Sequence, residues 1–312
     1  MKKYIILTDS SCDMSQELRE HFGVKDYVPG YVHFSDGRDL RSTLEWNNIS
    51  REEFYNTLSD KKMKITTAPS SPEEFYQTFR KYAEQGYDIL SISISTAISL
   101  TYSNTQKAAE AIKAEFPDCE IFCVDSLRMS GSQALLVAYA HLLQSQGKTI
   151  HEVVEWLEAN KRKVHQMGPI DDLIFVARRG RISMGKAIFG SFAGVKPMGD
   201  NNSEGYVTVL GKAKGIKKAL ALTVEYIRQA AVDIENQFVY IAHSNRDEYA
   251  NALKEMIEKK LHPNEVFISD VFTSSGTNIG PGMIAAYFLG EEISEDGSKE
   301  KELMQKAMDN CK

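Results

Sequence analysis

The sequence is short of the residues that interrupt or staple a fold. Only 8 prolines and 4 cysteines occur in 312 residues. With 42% hydrophobic and 26% charged residues, so ordinary a composition leaves no room for a long low-complexity or disordered stretch. The cysteines form no recognisable framework. Cys12 and Cys311 lie near opposite ends, and the spacing of Cys119 and Cys123 fits neither a zinc knuckle nor a CxxC redox pair, so they read as reduced thiols of a cytoplasmic protein. No stretch approaches the ~20 apolar residues of a membrane span. The apolar run Tyr4–Leu7 is too short for a signal-peptide core and is soon followed by Asp9. Basic stripes are missing as well: the net charge is −6 with both signs interspersed, which excludes nucleic acid as a partner. None of the 7 histidines has metal-ligand spacing, and only His243, after an apolar run, is placed near a strand end. The order of residues reveals no Ser-His-Asp, Cys-His or paired-carboxylate arrangement. No catalytic residue, metal or cofactor is therefore expected.

What is present is alternation. Tyr4–Leu7 is followed by the amphipathic Gln16–Phe22, Ile89–Ile94 by Asn104–Phe116, and Glu120–Val124 by Gln133–Gln144. Strand and helix patterns in turn are the mark of a parallel sheet covered on both faces. At ~100–200 residues per domain, the length fits two domains. Residues 1–148 read as a doubly wound parallel-sheet α/β domain, and residues 149–312 as a C-terminal α/β domain with a mixed or antiparallel sheet. In the second half the expected order is a helix over His151–Val164, an extended segment over Asp172–Arg179 and a short Gly/Phe/Ala helix. A hairpin within Gly194–Lys212 comes next, then helix Ile216–Val232, strand Phe238–His243, helix Glu248–Leu261 and strand Val266–Phe272. Helix starts are marked by Ser50 with Glu53, Ser71 with Glu74, and Thr149 with Glu152, each spaced as a capping box; Pro72 takes the first helical position.

Ligands of doubly wound sheets bind outside the carboxyl ends of the strands. The predicted strand ends are rich in hydroxyls: Thr8, Ser10 and Ser11 around Asp9; Thr66, Thr67, Ser70 and Ser71; Ser95, Thr96, Ser99 and Thr101; and Ser126 beside Asp125. Hydroxyl groups donate to a carboxylate or phosphate without carrying charge, and the helix N-termini downstream add oriented amides. Such residues serve equally as helix caps, as Ser71 does. Gly180, Gly185 and Lys186 match a phosphate-cradling loop, but Ala187 stands where a metal-binding hydroxyl belongs. Gly280-Pro281-Gly282, before an apolar helix expected over Met283–Leu289, forces a tight turn whose amides can face a ligand.

Taken in order, these segments resemble a known family. Thr8-Asp9-Ser10, Thr67 with Ser71 to Phe75, Ser95 and Ser99 running into Thr101-Tyr102, and Val124-Asp125-Ser126 form the first part of the resemblance. Gly180-Arg181-Ile182, Val195-Lys196-Pro197 and Gly280-Pro281-Gly282 complete it. The ordered set is similar to the DegV family of bacterial fatty-acid-binding proteins. That resemblance implies a long-chain fatty acid lying between two domains, its carboxylate hydrogen-bonded by Thr67 and Ser99. Ser95, Arg181, Asn278, Gly280 and Gly282 are the further ligand-binding positions carried over. It implies a non-catalytic protein that presents the acid to a separate fatty acid kinase for phospholipid synthesis. The alternative is a small phosphotransferase or a dihydroxyacetone-kinase-like substrate-binding enzyme. Three positions depart from the family's pattern: Arg179 and Leu100 replace glycines, and Asn278 stands where a histidine usually precedes the Gly-Pro-Gly turn.

Overall fold

The computed structural model describes residues 2–181 and 194–312. The predicted alternation becomes a parallel sheet with strands in the order Tyr27–Val28, Tyr4–Asp9, Asp88–Ser93, Ile121–Asp125. Every residue of Tyr4–Asp9 and of Asp88–Ser93 is buried, as strands covered on both faces require. From Tyr4–Asp9 the chain goes first to one side of the sheet and later to the other. The carboxyl ends of Tyr4–Asp9 and Asp88–Ser93 therefore flank the crevice where the strand order reverses.

The second large sheet is mixed. Its strands run in the order Val207–Lys214, Val195–Asn201, Val164–Pro169, Ile284–Leu289, Phe238–His243, Glu265–Asp270, antiparallel except for the last pair. The expected hairpin is its Val195–Asn201 and Val207–Lys214 edge. A third, small antiparallel sheet comprises Asp39–Ser42, Gly30–Phe34 and Ile65–Ala68. Among the described residues no helix is long and apolar enough to cross a membrane.

Several local expectations are corrected. Thr67 does not follow a parallel strand but sits within Ile65–Ala68, opposite Val32. Leu173–Arg178 is a helix, not an extended segment, because Asp172 caps it by accepting from the Phe175 amide at 2.9 Å. A helix in front of Gly180 also removes the strand that a phosphate-cradling loop needs. The remainder of that motif, Ile182 to Ala187, and the short Gly/Phe/Ala helix expected after Arg179 lie outside the described residues. Ile284–Leu289 is a central strand rather than a helix; six apolar residues carry no period that separates the two. The helix begun at Ile150 ends at Asn160, freeing Val164–Pro169 to be a strand. Ser71 and Thr149 make complete capping boxes, whereas Ser50 caps without the reciprocal bond.

One helix joins the two large sheets. Gly131–Ser145 packs on Tyr4–Asp9 and Asp88–Ser93 on one side and on Val164–Pro169, Ile284–Leu289 and Phe238–His243 on the other. Its residues Ala134 to Ala138 are fully buried. With Gly131 to Ala138 all buried, this half of the helix has no solvent face to offer and becomes the layer between the sheets.

Behind the mixed sheet lies a buried ion pair. His165 Nδ1 is 2.6 Å from Asp200 Oδ2 and His165 Nε2 is 2.8 Å from the Glu291 carbonyl. Both partners only accept, so both ring nitrogens carry protons. Burial opposes the charged form, but the Asp200 carboxylate and the Glu291 carbonyl outweigh it and hold the imidazole above its usual pKa. Asp200 also accepts from the Gln166 and Asn201 amides and from the Tyr226 hydroxyl. A raised histidine pKa stabilises the fold fully below ~6.5, and that contribution is lost as pH rises through the folded-state value. Urea unfolding across pH should therefore show stability declining above about pH 6.5. His165→Gln should flatten that alkaline decline and lower stability at pH 6 by about 3 kcal/mol. An unchanged alkaline slope in the variant would remove the charged pair from the account.

Candidate ligand-binding site

The crevice at the strand reversal opens into a cavity of about 430 Å³ between the parallel and mixed sheets. Its polar lining comes from Ser10 and Ser11 after the first strand, Thr67 on the small sheet and Ser70 just beyond it, and Thr96, Ser99 and Thr101 after Asp88–Ser93. Ser130 at the start of the interlayer helix and Ser274, Ser275 and Asn278 on helix Thr273–Ile279 complete it. The apolar lining includes Ile94, Ile98, Met129, Ile170, Val176, Val207, Ile279, Met283, Ala285 and Tyr287. Gly168 and Gly199, paired across adjacent strands, offer only backbone to the same space.

Hydrogen bonds among the polar groups determine which of them face a ligand. Asn278 Nδ2 donates to the Ser274 carbonyl at 3.0 Å and to Thr67 Oγ1 at 3.2 Å. Thr67 is thus an acceptor inside the protein, and its own proton is left for the cavity. The Thr101 amide donates to Ser99 Oγ at 3.3 Å, with the two hydroxyls 2.8 Å apart. Leu100, between them, is 69% exposed, so Ser99 stands at the mouth. Arg181 brings a guanidinium to the lining and also donates to the Arg179 carbonyl.

Two buried carboxylates hold the loops in place. Asp9 accepts from the Ser11 amide at 2.8 Å, the Ile94 amide at 2.9 Å and Gln133 Nε2 at 3.0 Å, tying the ends of both central strands together. Burial raises its pKa against these bonds. Asp13, with φ +50°, accepts from the Ser130 hydroxyl at 2.6 Å and the Phe272 amide at 2.9 Å. Burial pushes Asp13 up to about 7.

Of the residues singled out in the sequence, Thr67, Ser99, Arg181 and Asn278 meet at this cavity, and Ser95, Gly280 and Gly282 do not line it. Ser95 shapes the loop: its amide donates to the Arg128 carbonyl at 2.8 Å and its hydroxyl accepts from the Ala97 amide at 3.2 Å. Gly280 and Gly282 have φ of +81° and +91°, the left-handed region a turn needs, and a side chain on Gly280 would collide with the Phe175 ring. Gln166 and Ser274 are not marked in the sequence because Val164–Pro169 and Thr273–Ile279 carry no clear period, and Ser130 falls between the segments read as strand Glu120–Val124 and helix Gln133–Gln144. The polar pair His165 and Gln166, next to Val164 and Met167, is the available signal. His243 lies elsewhere, near Asp247 and Asp270. There Arg51 supplies the positive charge, bonding both carboxylates at 2.8 Å, and His243 Nδ1 accepts from the Arg246 amide, so the ring proton sits on Nε2. That arrangement suits an ion-pair cluster better than a metal.

Residues 3–291 match the family model for DegV, described as uncharacterised proteins. The chain belongs to the DegV family. A DegV domain-containing protein of Clostridium perfringens is 33% identical over 291 residues, covering 93% of this chain and 99% of that protein. Among solved structures, a fatty-acid-binding DegV family protein from Thermus thermophilus is 28% identical with a TM-score of 0.82, covering 93% of this chain and 100% of its own. The Streptococcus pneumoniae Fatty Acid Kinase (Fak) B3 protein loaded with linoleic acid has a TM-score of 0.77 at 19% identity, covers 93% of this chain and 100% of its own, and is alike in fold.

Asp13 yields a prediction of its own. An acid whose folded-state value exceeds its unfolded ~3.9 is destabilising once ionised, so stability falls as pH rises from about 4 to about 7. Asp13→Asn copies the protonated form. Its stability, followed by denaturant unfolding, should vary less than the parent's over that range and exceed it at pH 8; equal slopes would contradict the assignment.

Proposed function

We propose that this protein binds a long-chain fatty acid, with residues 1–148 and 149–312 as the two units that enclose it. The carrying observation is the composition of the cavity: hydroxyl groups at its mouth and apolar side chains from both large sheets beyond them. Hydroxyl donors hold a carboxylate without a second buried charge that must itself be desolvated. On this reading Thr67 and Ser99 bind the head group, with Arg181 lending a charge, while Asn278 acts as a positioning residue that turns the Thr67 proton inward. Ser95, Gly280 and Gly282 support the site through the loops they shape. The acyl chain runs past Met129 and Ile94 toward Tyr287. Each buried methylene contributes ~0.8 kcal/mol, so the tail supplies most of the affinity.

A head group beside exposed Leu100 lies where another protein can reach it. The protein accordingly acts as a cytoplasmic binding subunit that presents its acid to a separate kinase, as the naming of the Streptococcus pneumoniae structure supports. Asp9, the carboxylate that lines the cavity, is bound to the Ser11 and Ile94 amides and to Gln133, which suits a positioning role better than the general base a phosphotransferase needs.

Protein denatured and extracted into organic solvent should release a long-chain fatty acid, detectable by mass spectrometry. Thr67→Val and Ser99→Ala should each weaken binding by roughly 10- to 100-fold, the worth of one hydrogen bond to a charged group. No extracted acid, together with no thermal shift on adding palmitate or oleate, would end this reading.

A further inference from the structure

A second concavity, of about 370 Å³, lies near the amino ends of the parallel strands, away from the acyl cavity. Lys2, Lys3, Lys25 and Lys148 line it, together with Tyr87 and His141, and no carboxylate does. In a chain of net charge −6 this is a local concentration of positive charge. Two of the ammonium groups are committed: Lys2 Nζ to Asp88 at 2.5 Å and Lys148 Nζ to Glu152 at 2.8 Å. Lys3 and Lys25 are exposed and have no acidic partner among the described residues.

At the floor is a polar group without a partner. His141 is 4% exposed, and its Nε2 is buried with no hydrogen bond among the described residues. Leaving a buried polar atom unpaired costs about 1–3 kcal/mol, so such a group calls for a ligand or water. Burial, and then the Lys25 charge, push the imidazole down to about 4, so at neutral pH it is an uncharged ring. The groove thus offers two uncommitted ammonium groups and one neutral ring nitrogen able to donate.

We propose that this groove binds a phosphate-bearing small molecule, its phosphate held between Lys3, Lys25 and His141. A carboxylate has one charge and two oxygens, whereas a phosphate dianion matches two cations and a third donor. The volume exceeds that of a bare phosphate, and the Tyr87 ring supplies a surface for the organic part.

The full chain can be titrated with pyrophosphate by calorimetry, with chloride matched for ionic strength. One saturable site is expected, weakened roughly tenfold or more in the Lys3→Glu/Lys25→Glu double variant, whose exposed substitutions leave thermal unfolding in chloride unchanged. In NMR spectra the His141 ring signals of the parent should move with pyrophosphate and not with chloride. No saturable binding, equal binding by the double variant, or His141 signals that stay fixed would each overturn the proposal. Fatty acid extraction from the same preparations reports on the acyl cavity separately, so the two readings stand or fall apart.

Discussion

The structure depends on the burial of one helix between two sheets. Gly131 to Ala138 leave water altogether, and the two sheets supply the surface that covers them. Full burial of a single leucine or valine contributes ~1.5–3 kcal/mol, and Leu135, Leu136 and Val137 are all fully buried. Gly131 is small because the Tyr287 ring of the second sheet lies against it. The space left between the sheets at this end of the helix becomes the hydroxyl-lined cavity, so the site is a consequence of how the layers are joined rather than an addition to them.

Within that space the carboxylates are held by the protein's own donors. Asp9, which lines the cavity, accepts from two backbone amides and Gln133, and Asp13 from the Phe272 amide and the Ser130 hydroxyl, so both hold strand ends in place. Desolvation raises both, which shows how hostile the region is to an unpaired charge. Hydroxyl groups suit such a place. Asn278 continues the theme: its amide can orient Thr67 but cannot add a charge.

The parallel sheet was legible because its strands are apolar runs ended by Asp9 and Asp125 and separated by helices of clear period. The helix caps were legible because their chemistry is local. What stayed hidden depends on tertiary context. Ile284–Leu289 is apolar throughout and sits in mid-sheet, so only its neighbours decide that it is a strand. Leu173–Arg178 turns on one side chain, Asp172, bonding one amide. The small sheet that carries Thr67 pairs strands of four or five residues with exposed positions among them, too weak a pattern to stand out. The meeting of Thr67 with Asn278, 211 residues apart, can be seen only in three dimensions.

The interlayer helix also orders the two concavities along one axis. Ser130, just before its first residue, lines the hydroxyl-lined cavity, while His141 and Gln144 near its end line the lysine-lined groove. At 1.5 Å per residue those points are ~17–21 Å apart, beyond the ~8–10 Å over which solvent-exposed charges act at physiological salt. Influence between the ends would then have to travel as movement of the helix. With a sheet on either side, the helix is close-packed along the faces that meet the sheets, and sliding it would drive its backbone into the Tyr287 ring that lies against Gly131. The packing that leaves the cavity at one end of the helix therefore resists its deformation from the other.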